Sequence, residues 1–233
     1  MEKIKDLQIL KFDELPSTQE YCQERIAERN NLFVVASSQT NGHGTKGRTF
    51  SSLNGGLYVS MLLYPEDFPA LNAFLVMART AVAVCKTLER FGLQPQIKWP
   101  NDVHVQGKKI CGILTSNRLQ GKRIDASLIG VGLNVNNELP KELQEIAISM
   151  RSAKGKAFEL TEVEELFREF FFSPFAFEEY TKRLGYMGAE ATLWIGEERR
   201  KVTLLGVDEK GQLTVIENGT KKTFSAGEIT LKV

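Results

Sequence analysis

The stretch 96–135 constrains the fold most. It reads as short strands, QIKW, VHVQ, KKICGILTS and RIDASLIGVGLNV, one after another. Gln106-Gly107-Lys108 and Gln120-Gly121-Lys122 punctuate them as hairpins. Just upstream, Leu71, Phe74, Leu75, Ala78, Ala81, Val82, Cys85, Leu88 and Phe91 recur at helical spacing, and Gly92 stands where a helix stops. Strands gathered in the middle and flanked by helices argue for an α+β fold, a central mixed or antiparallel sheet, rather than a doubly wound βαβ sheet.

The flanks fit this frame. QILKFDEL at 8–15 reads as a strand broken by Pro16. Ser17-Thr18-Gln19-Glu20 has the capping-box pattern and opens a helix to about Arg29. Runs 32–36 and 57–63 read as strands. Segments 141–150 and 161–184 read as helical, the second interrupted at Ser173-Pro174. After Gly185 the chain is β only, with candidate strands at 191–195, 200–207, 212–216, 221–224 and 228–232, and a hairpin signal at Asn218-Gly219. That tail is small for a core of its own. The expected organisation is a domain over 1–184 carrying a small SH3-like or OB-like β module over 185–233.

Composition narrows the function classes. The 233 residues carry 30 Lys+Arg against 29 Asp+Glu, a net charge of +1. A general nucleic-acid binder needs a basic excess, so none is expected. Cys22, Cys85 and Cys111 are far apart, and with two histidines no zinc site is readable. The expectation is buried, reduced thiols in a cytoplasmic protein. The N-terminus has no apolar signal core. The greasiest stretch, 73–85, is interrupted by Arg79 and Thr80 and reads as too short to span a membrane.

Three segments carry chemistry. Gly42-His43-Gly44-Thr45-Lys46-Gly47 matches GxGxxG, but a turn and strand follow it, so a dinucleotide fold is excluded. What remains is a Gly-rich loop with Lys46 and Arg48, able to aim backbone N–H groups at an anion, or simply a surface loop. Lys98-Trp99-Pro100-Asn101-Asp102 is a polar strand end. Its oxygens suit a metal ion or a ribose, though Pro-Asn-Asp also composes ordinary turns. In the following strand, alternation puts Lys109 with Cys111 and Lys108 with Ile110. Gly130 and Gly132 share a strand face that permits close approach, with Asn134 on the same face.

In order and spacing these blocks resemble the biotin–protein ligase family. The resemblance rests on Ser17-Thr18, Gln39 before the Gly-rich loop ending at Arg48, Gly55-Gly56-Leu57-Tyr58-Val59-Ser60, KWPND at 98–102, KKICGIL at 108–114, GVGLNVN at 130–136 and Gly227-Glu228-Ile229. It implies a catalytic domain of the class II synthetase-like type with a C-terminal SH3-like barrel. It implies that biotin is activated with Mg²⁺ and ATP as biotinyl-5′-adenylate. Biotin then passes to a lysine of a biotin carboxyl carrier protein, of acetyl-CoA carboxylase or a related carboxylase. By the same resemblance Lys109 and Arg48 are catalytic. Ser17, Thr18, Gln19, Gln39, Gly42, His43, Gly44, Thr45, Lys109 and Gly112 bind biotin. Lys46, Arg48, Trp99, Asn101, Asp102, Gly132 and Asn134 serve ATP and the adenylate, with Asp102 also a Mg²⁺ ligand.

Two departures matter. The family loop usually reads GRGRxGRxW, whereas here His43, Thr45 and Phe50 replace two arginines and the tryptophan. Leakage of the adenylate is expected unless Lys46 substitutes. The family's N-terminal DNA-binding domain is expected to be absent, hence a monofunctional enzyme without DNA or membrane partners. A monomer or a homodimer is compatible. The alternatives are a lipoate or octanoate ligase or transferase, a binding protein without ligase activity, and an adaptor using the β module.

Overall fold

In the computed structural model, residue 4, residues 6–226 and residues 230–232 are described, with Lys46, Thr230 and Lys232 as backbone only. The first strand, β1 (Gln8–Leu15), leads through α1 (Thr18–Glu24) into β2 (Leu32–Gln39), and these two strands pair in parallel. Then come β3 (Leu57–Leu63), the long helix α2 (Ala73–Arg90), β4 (Pro95–Lys98), β5 (Asp102–Val105), β6 (Lys108–Gln120) and β7 (Arg123–Leu133). Together the seven strands form one sheet in the order β1-β2-β3-β7-β6-β5-β4, antiparallel beyond the first pair. The β5–β6 turn places Gln106 and Gly107 at φ 54° and 75°, the two left-handed residues a tight hairpin requires.

Alternation gives the sheet two different faces. Phe33, Val59, Met61, Ile113, Ile129 and Val131 point to one side, where α2 packs with α4 (Leu160–Phe172) and α5 (Phe177–Thr181) over the main core. The 70–90 segment has the length and mean hydropathy (1.4) of a membrane span, longer than its sequence suggested, but 67% of its apolar window is buried in this core. Arg79 points into it and donates to the carbonyls of Phe171 and Ser173 at the end of α4. The other face is apolar only at one end, where Cys22 of α1 meets Leu32, Val34, Leu62 and Leu128. Further along, Ser60, Gly112, Gly130 and Gly132 take over and leave a hollow.

Two sequence readings change. Residues 141–150 are not a helix. A short 3-10 turn at Lys141–Leu143 gives way to an extended run, and α3 (Met150–Lys154) follows. Backbone demand overrides the helical spacing there: Lys109 N–H bonds Ile146 O at 2.9 Å, and Ile148 N–H bonds Lys109 O at 2.9 Å. Nor does Lys109 share a face with Cys111. His104 pairs with Lys109 but Val103 pairs with Cys111, so Ile110 is an inserted residue, a β-bulge. The bulge sends both Ile110 and Cys111 into the core and turns Lys109 over Gly112. All three cysteines are free and buried, as expected, and burial pushes the Cys22 thiol up to about 12.

The C-terminal strands β8 (Glu190–Ile195), β9 (Glu198–Val207), β10 (Leu213–Glu217), β11 (Thr220–Phe224) and β12 (Thr230–Lys232) form a separate antiparallel sheet, order β11-β10-β9-β8-β12. It fits the SH3-like module. Of the reading at 228–232, Glu228 and Ile229 lie outside the described residues. Trp99 inserts into this sheet's core beside Leu193, Leu204 and Val215. Gly211, at φ 80°, comes so close to Phe74 that a Cβ would lie 2.2 Å from the ring. Its carbonyl accepts the Trp99 indole N–H at 3.1 Å.

Candidate active site

The hollow is floored by backbone. Gly112 pairs across the strands with Gly132, and Leu114 with Gly130. A Cβ on Gly132 would lie 2.5 Å from the Phe50 ring, and one on Gly130 2.3 Å from Gln19 Oε1. At 132 the absence of a side chain leaves room for the ring, while at 130 the neighbour is the flexible end of Gln19. The wall is the start of α1. Ser17 Oγ accepts the Glu20 N–H at 3.3 Å, and Gln39 Oε1 accepts from the Thr18 N–H (2.8 Å) and hydroxyl (3.0 Å). Gln39 Nε2 donates to Ser52 Oγ at 2.8 Å, and the Thr18 and Ser60 hydroxyls lie 2.8 Å apart. Polar atoms from helix, strand and loop are thereby held in fixed directions around the cleft.

The 42–50 loop forms the lid. It is a miniature hairpin, with Gly44 N–H bonded to Arg48 O (2.6 Å) and Phe50 N–H to Gly42 O (2.8 Å). Phe50 lies over Gly112 and Gly132. As it stands the cleft measures about 50 Å³. A second, larger cavity of about 530 Å³ opens at the β4–β5 turn. Phe74 and Met77 of α2, Lys98, Trp99, Asp102, Thr115, Asn117, Ala226 and Leu231 line it, with Thr45 and Arg48 at its lid side. Asn101, Ile113 and Leu114 line both cavities. Asn101 is fixed there by donating to Ile113 O at 2.7 Å and accepting its N–H at 3.0 Å.

Charge collects at this junction. Lys109 Nζ sits 2.8 Å from Asp102 Oδ1, with both side chains about one-third exposed. Lys98 is half-buried beside them. Burial, and after it the like charge of Lys109, holds its pKa below the ordinary lysine value, against the pull of Asp102. The same side carries His104, buried, with Nδ1 3.3 Å from the Tyr186 hydroxyl. Burial lowers its pKa, Lys98 and Lys109 add to that, and Asp102 and the Gly107 backbone oppose it. The unfolded imidazole therefore binds a proton more readily than the native one. Its stabilising contribution is intact at neutral pH and declines as pH falls below the ordinary imidazole value of about 6.5. Replacing His104 with Gln should flatten the loss of thermal stability between pH 7 and pH 5; an unchanged slope would contradict this.

Most sequence-selected residues converge. Ser17, Thr18, Gln19, Gln39, His43, Gly44, Lys109, Gly112 and Gly132 line the cleft; Thr45, Arg48, Trp99 and Asp102 line the larger cavity; Asn101 lines both. Gly132 thus lines the cleft and Thr45 the larger cavity. Two residues stay away from the lining. Gly42 is wedged between Ser52 and Phe50, and Asn134 is buried beyond β7, accepting from Asn137 Nδ2 at 3.1 Å. The Lys46 side chain and residues 227–229 lie outside the described residues. The sequence reading missed Phe50, Ser60 and Lys98 as lining residues. Lys98 was within sight in KWPND; Ser60 was signalled only by a hydroxyl in an otherwise apolar strand. Among the described residues no cluster of three or more His, Cys, Asp or Glu could hold a metal ion.

A family model described as the biotin/lipoate A/B protein ligase family matches residues 11–134. The bifunctional ligase/repressor BirA of Bacillus subtilis (strain 168) is 33% identical, over 94% of this chain and 72% of its own length. The biotin protein ligase of Aquifex aeolicus in complex with biotin and ATP superposes with a TM-score of 0.76 at 32% identity, covering 98% of this chain and 99% of that one. A further crystal structure of the Aquifex aeolicus biotin protein ligase gives 0.77 at 29% identity, covering 99% of each chain. With this match, this overall likeness and a cleft lysine paired to an aspartate of the neighbouring cavity, the chain belongs to the biotin/lipoate A/B protein ligase family and is an enzyme of its biotin–protein ligase type.

Proposed function

We propose that the glycine-floored cleft takes biotin, that the larger cavity takes ATP, and that Lys109 serves the point where they meet. The observation that carries this is the placement of Lys109, which lines the cleft while its ammonium sits 2.8 Å from Asp102 of the larger cavity, with Asn101 lining both. A carboxylate and a triphosphate repel each other. A fixed ammonium between them relieves that repulsion and stabilises the charge that builds on the α-phosphate. A carboxylate oxygen of biotin attacks the α-phosphorus, pyrophosphate leaves, and a mixed anhydride remains. The ε-amine of a carrier lysine then attacks the acyl carbon, loses a proton, and AMP departs.

The remaining residues bind and orient. Gln39, Thr18 and Ser17 present directed hydrogen-bonding groups to the polar ring of biotin. Its tail lies along Gly112 and Gly132 once the Phe50 ring turns aside, the hairpin backbone staying in place. Arg48 meets the phosphates and Trp99 walls the nucleotide. Asp102 is a single carboxylate and suits Mg²⁺ only together with phosphate oxygens, which is how that ion is commonly held. When bound, the ion would neutralise phosphate charge. The carrier is a biotin carboxyl carrier domain, the boundary between the two domains falls at 184/185, and the enzyme works in the cytoplasm.

The test is labelling of a purified carrier domain with biotin and ATP. Label is expected on one carrier lysine and is lost when that lysine is replaced by arginine. Label that survives the replacement, or none with the intact carrier, would sink the reading.

A further inference from the structure

The capping box at 17–20 is only half used. In a full box the Glu20 carboxylate would return to the Ser17 N–H. Here Glu20 Oε1 lies 2.6 Å from His43 Nε2, and Asn41 Nδ2 donates to the same oxygen at 3.4 Å. An ionised carboxylate only accepts, so Nε2 carries the proton. Both partners stand at the root of the lid hairpin, and His43 replaces a usual family arginine. Glu20 itself sits on a helix anchored to the sheet through fully buried Cys22. The hairpin is tied to itself by the Gly44–Arg48 and Phe50–Gly42 bonds, so a hold at His43 steadies its backbone as one piece.

We propose that Glu20 is a positioning residue which, through His43, holds the 42–50 hairpin down over the cleft and so retains the acyl-adenylate. The role in retention rests on the ligase reading above; the latch itself does not. His43 and Glu20 are 40% and 46% exposed, so the hold is that of a half-exposed hydrogen bond, about three- to fivefold in a closing equilibrium.

Two readouts test it. In the ligand-free protein, tryptic cleavage after Lys46 or Arg48 reports opening of the hairpin. In the adenylate complex, the escape rate of preformed biotinyl-adenylate reports retention. Glu20→Ala and His43→Ala should each raise both rates about three- to fivefold. The double variant should do no more than either alone, and Glu20→Gln should fall between. Exchanging the pair, Glu20→His with His43→Glu, should restore the intact rates, which a purely structural role would not produce. Unchanged rates in either single variant, or independent multiplication in the double, would overturn the latch. Absence of adenylate in the intact protein would strike the ligase reading, while the tryptic rates would still decide the latch.

Discussion

Replacing Lys109 with alanine is expected to slow acyl-adenylate formation by about 10²–10³-fold, the usual cost of removing one preorganised charge-stabilising group from a reacting centre. The side chain is aimed by three independent supports. The bulge at Ile110 rotates it out of the core pattern, Ile146 and Ile148 clamp its backbone from the side, and Asp102 holds its ammonium at 2.8 Å. Arginine should not rescue it. Its charge is spread over a broad planar fork on a longer stem, which does not reproduce a compact ammonium held 2.8 Å from Asp102. Single-turnover measurement with biotin and ATP reads this directly. A Lys109→Ala rate within threefold of the intact enzyme would remove Lys109 from the chemistry.

Replacing Trp99 with alanine is expected to destabilise the protein by about 3–5 kcal/mol, the range for truncating a large buried aromatic. Trp99 is 3% exposed, and it fills the core of the C-terminal sheet while standing on the KWPND segment of the other sheet. Its indole N–H satisfies the carbonyl of Gly211, whose turn presses on Phe74. Phenylalanine keeps most of the packing but leaves that carbonyl without its donor, so Trp99→Phe should lose about 1–2 kcal/mol. The same substitutions open the wall of the larger cavity, so the KM for ATP should rise. Urea unfolding gives the stability changes. A loss below about 1 kcal/mol in Trp99→Ala would contradict a core role.

How far the sequence carried differs by element. Strands with alternating or continuous β-branched runs were legible, as were the hairpins at Gln106-Gly107 and Asn218-Gly219, because left-handed turn positions leave a local mark. The bulge at Ile110 leaves none. It arises from pairing between β5 and β6, and it reversed the face on which Lys109 was placed. Residues 141–150 carry apolar spacing that suits a helix, yet their backbone is drawn out to pair with Lys109, a tertiary demand invisible locally. The site's polar blocks could be read because Gly, Lys, Asn and Asp are conspicuous at strand ends. That Ser60, Phe50 and Lys98 join them depends on three strands and a loop meeting in space. The bond between Glu20 and His43 links positions that the sequence reading assigned to separate tasks.

The central claim is that one acid, biotin, is activated at the junction beside Lys109. ATP–pyrophosphate exchange with the purified protein, run with biotin, lipoate and octanoate in turn, tests this most directly. Saturable exchange with biotin and none with the other two is the predicted result. No exchange with biotin, or exchange driven by lipoate or octanoate instead, would contradict it.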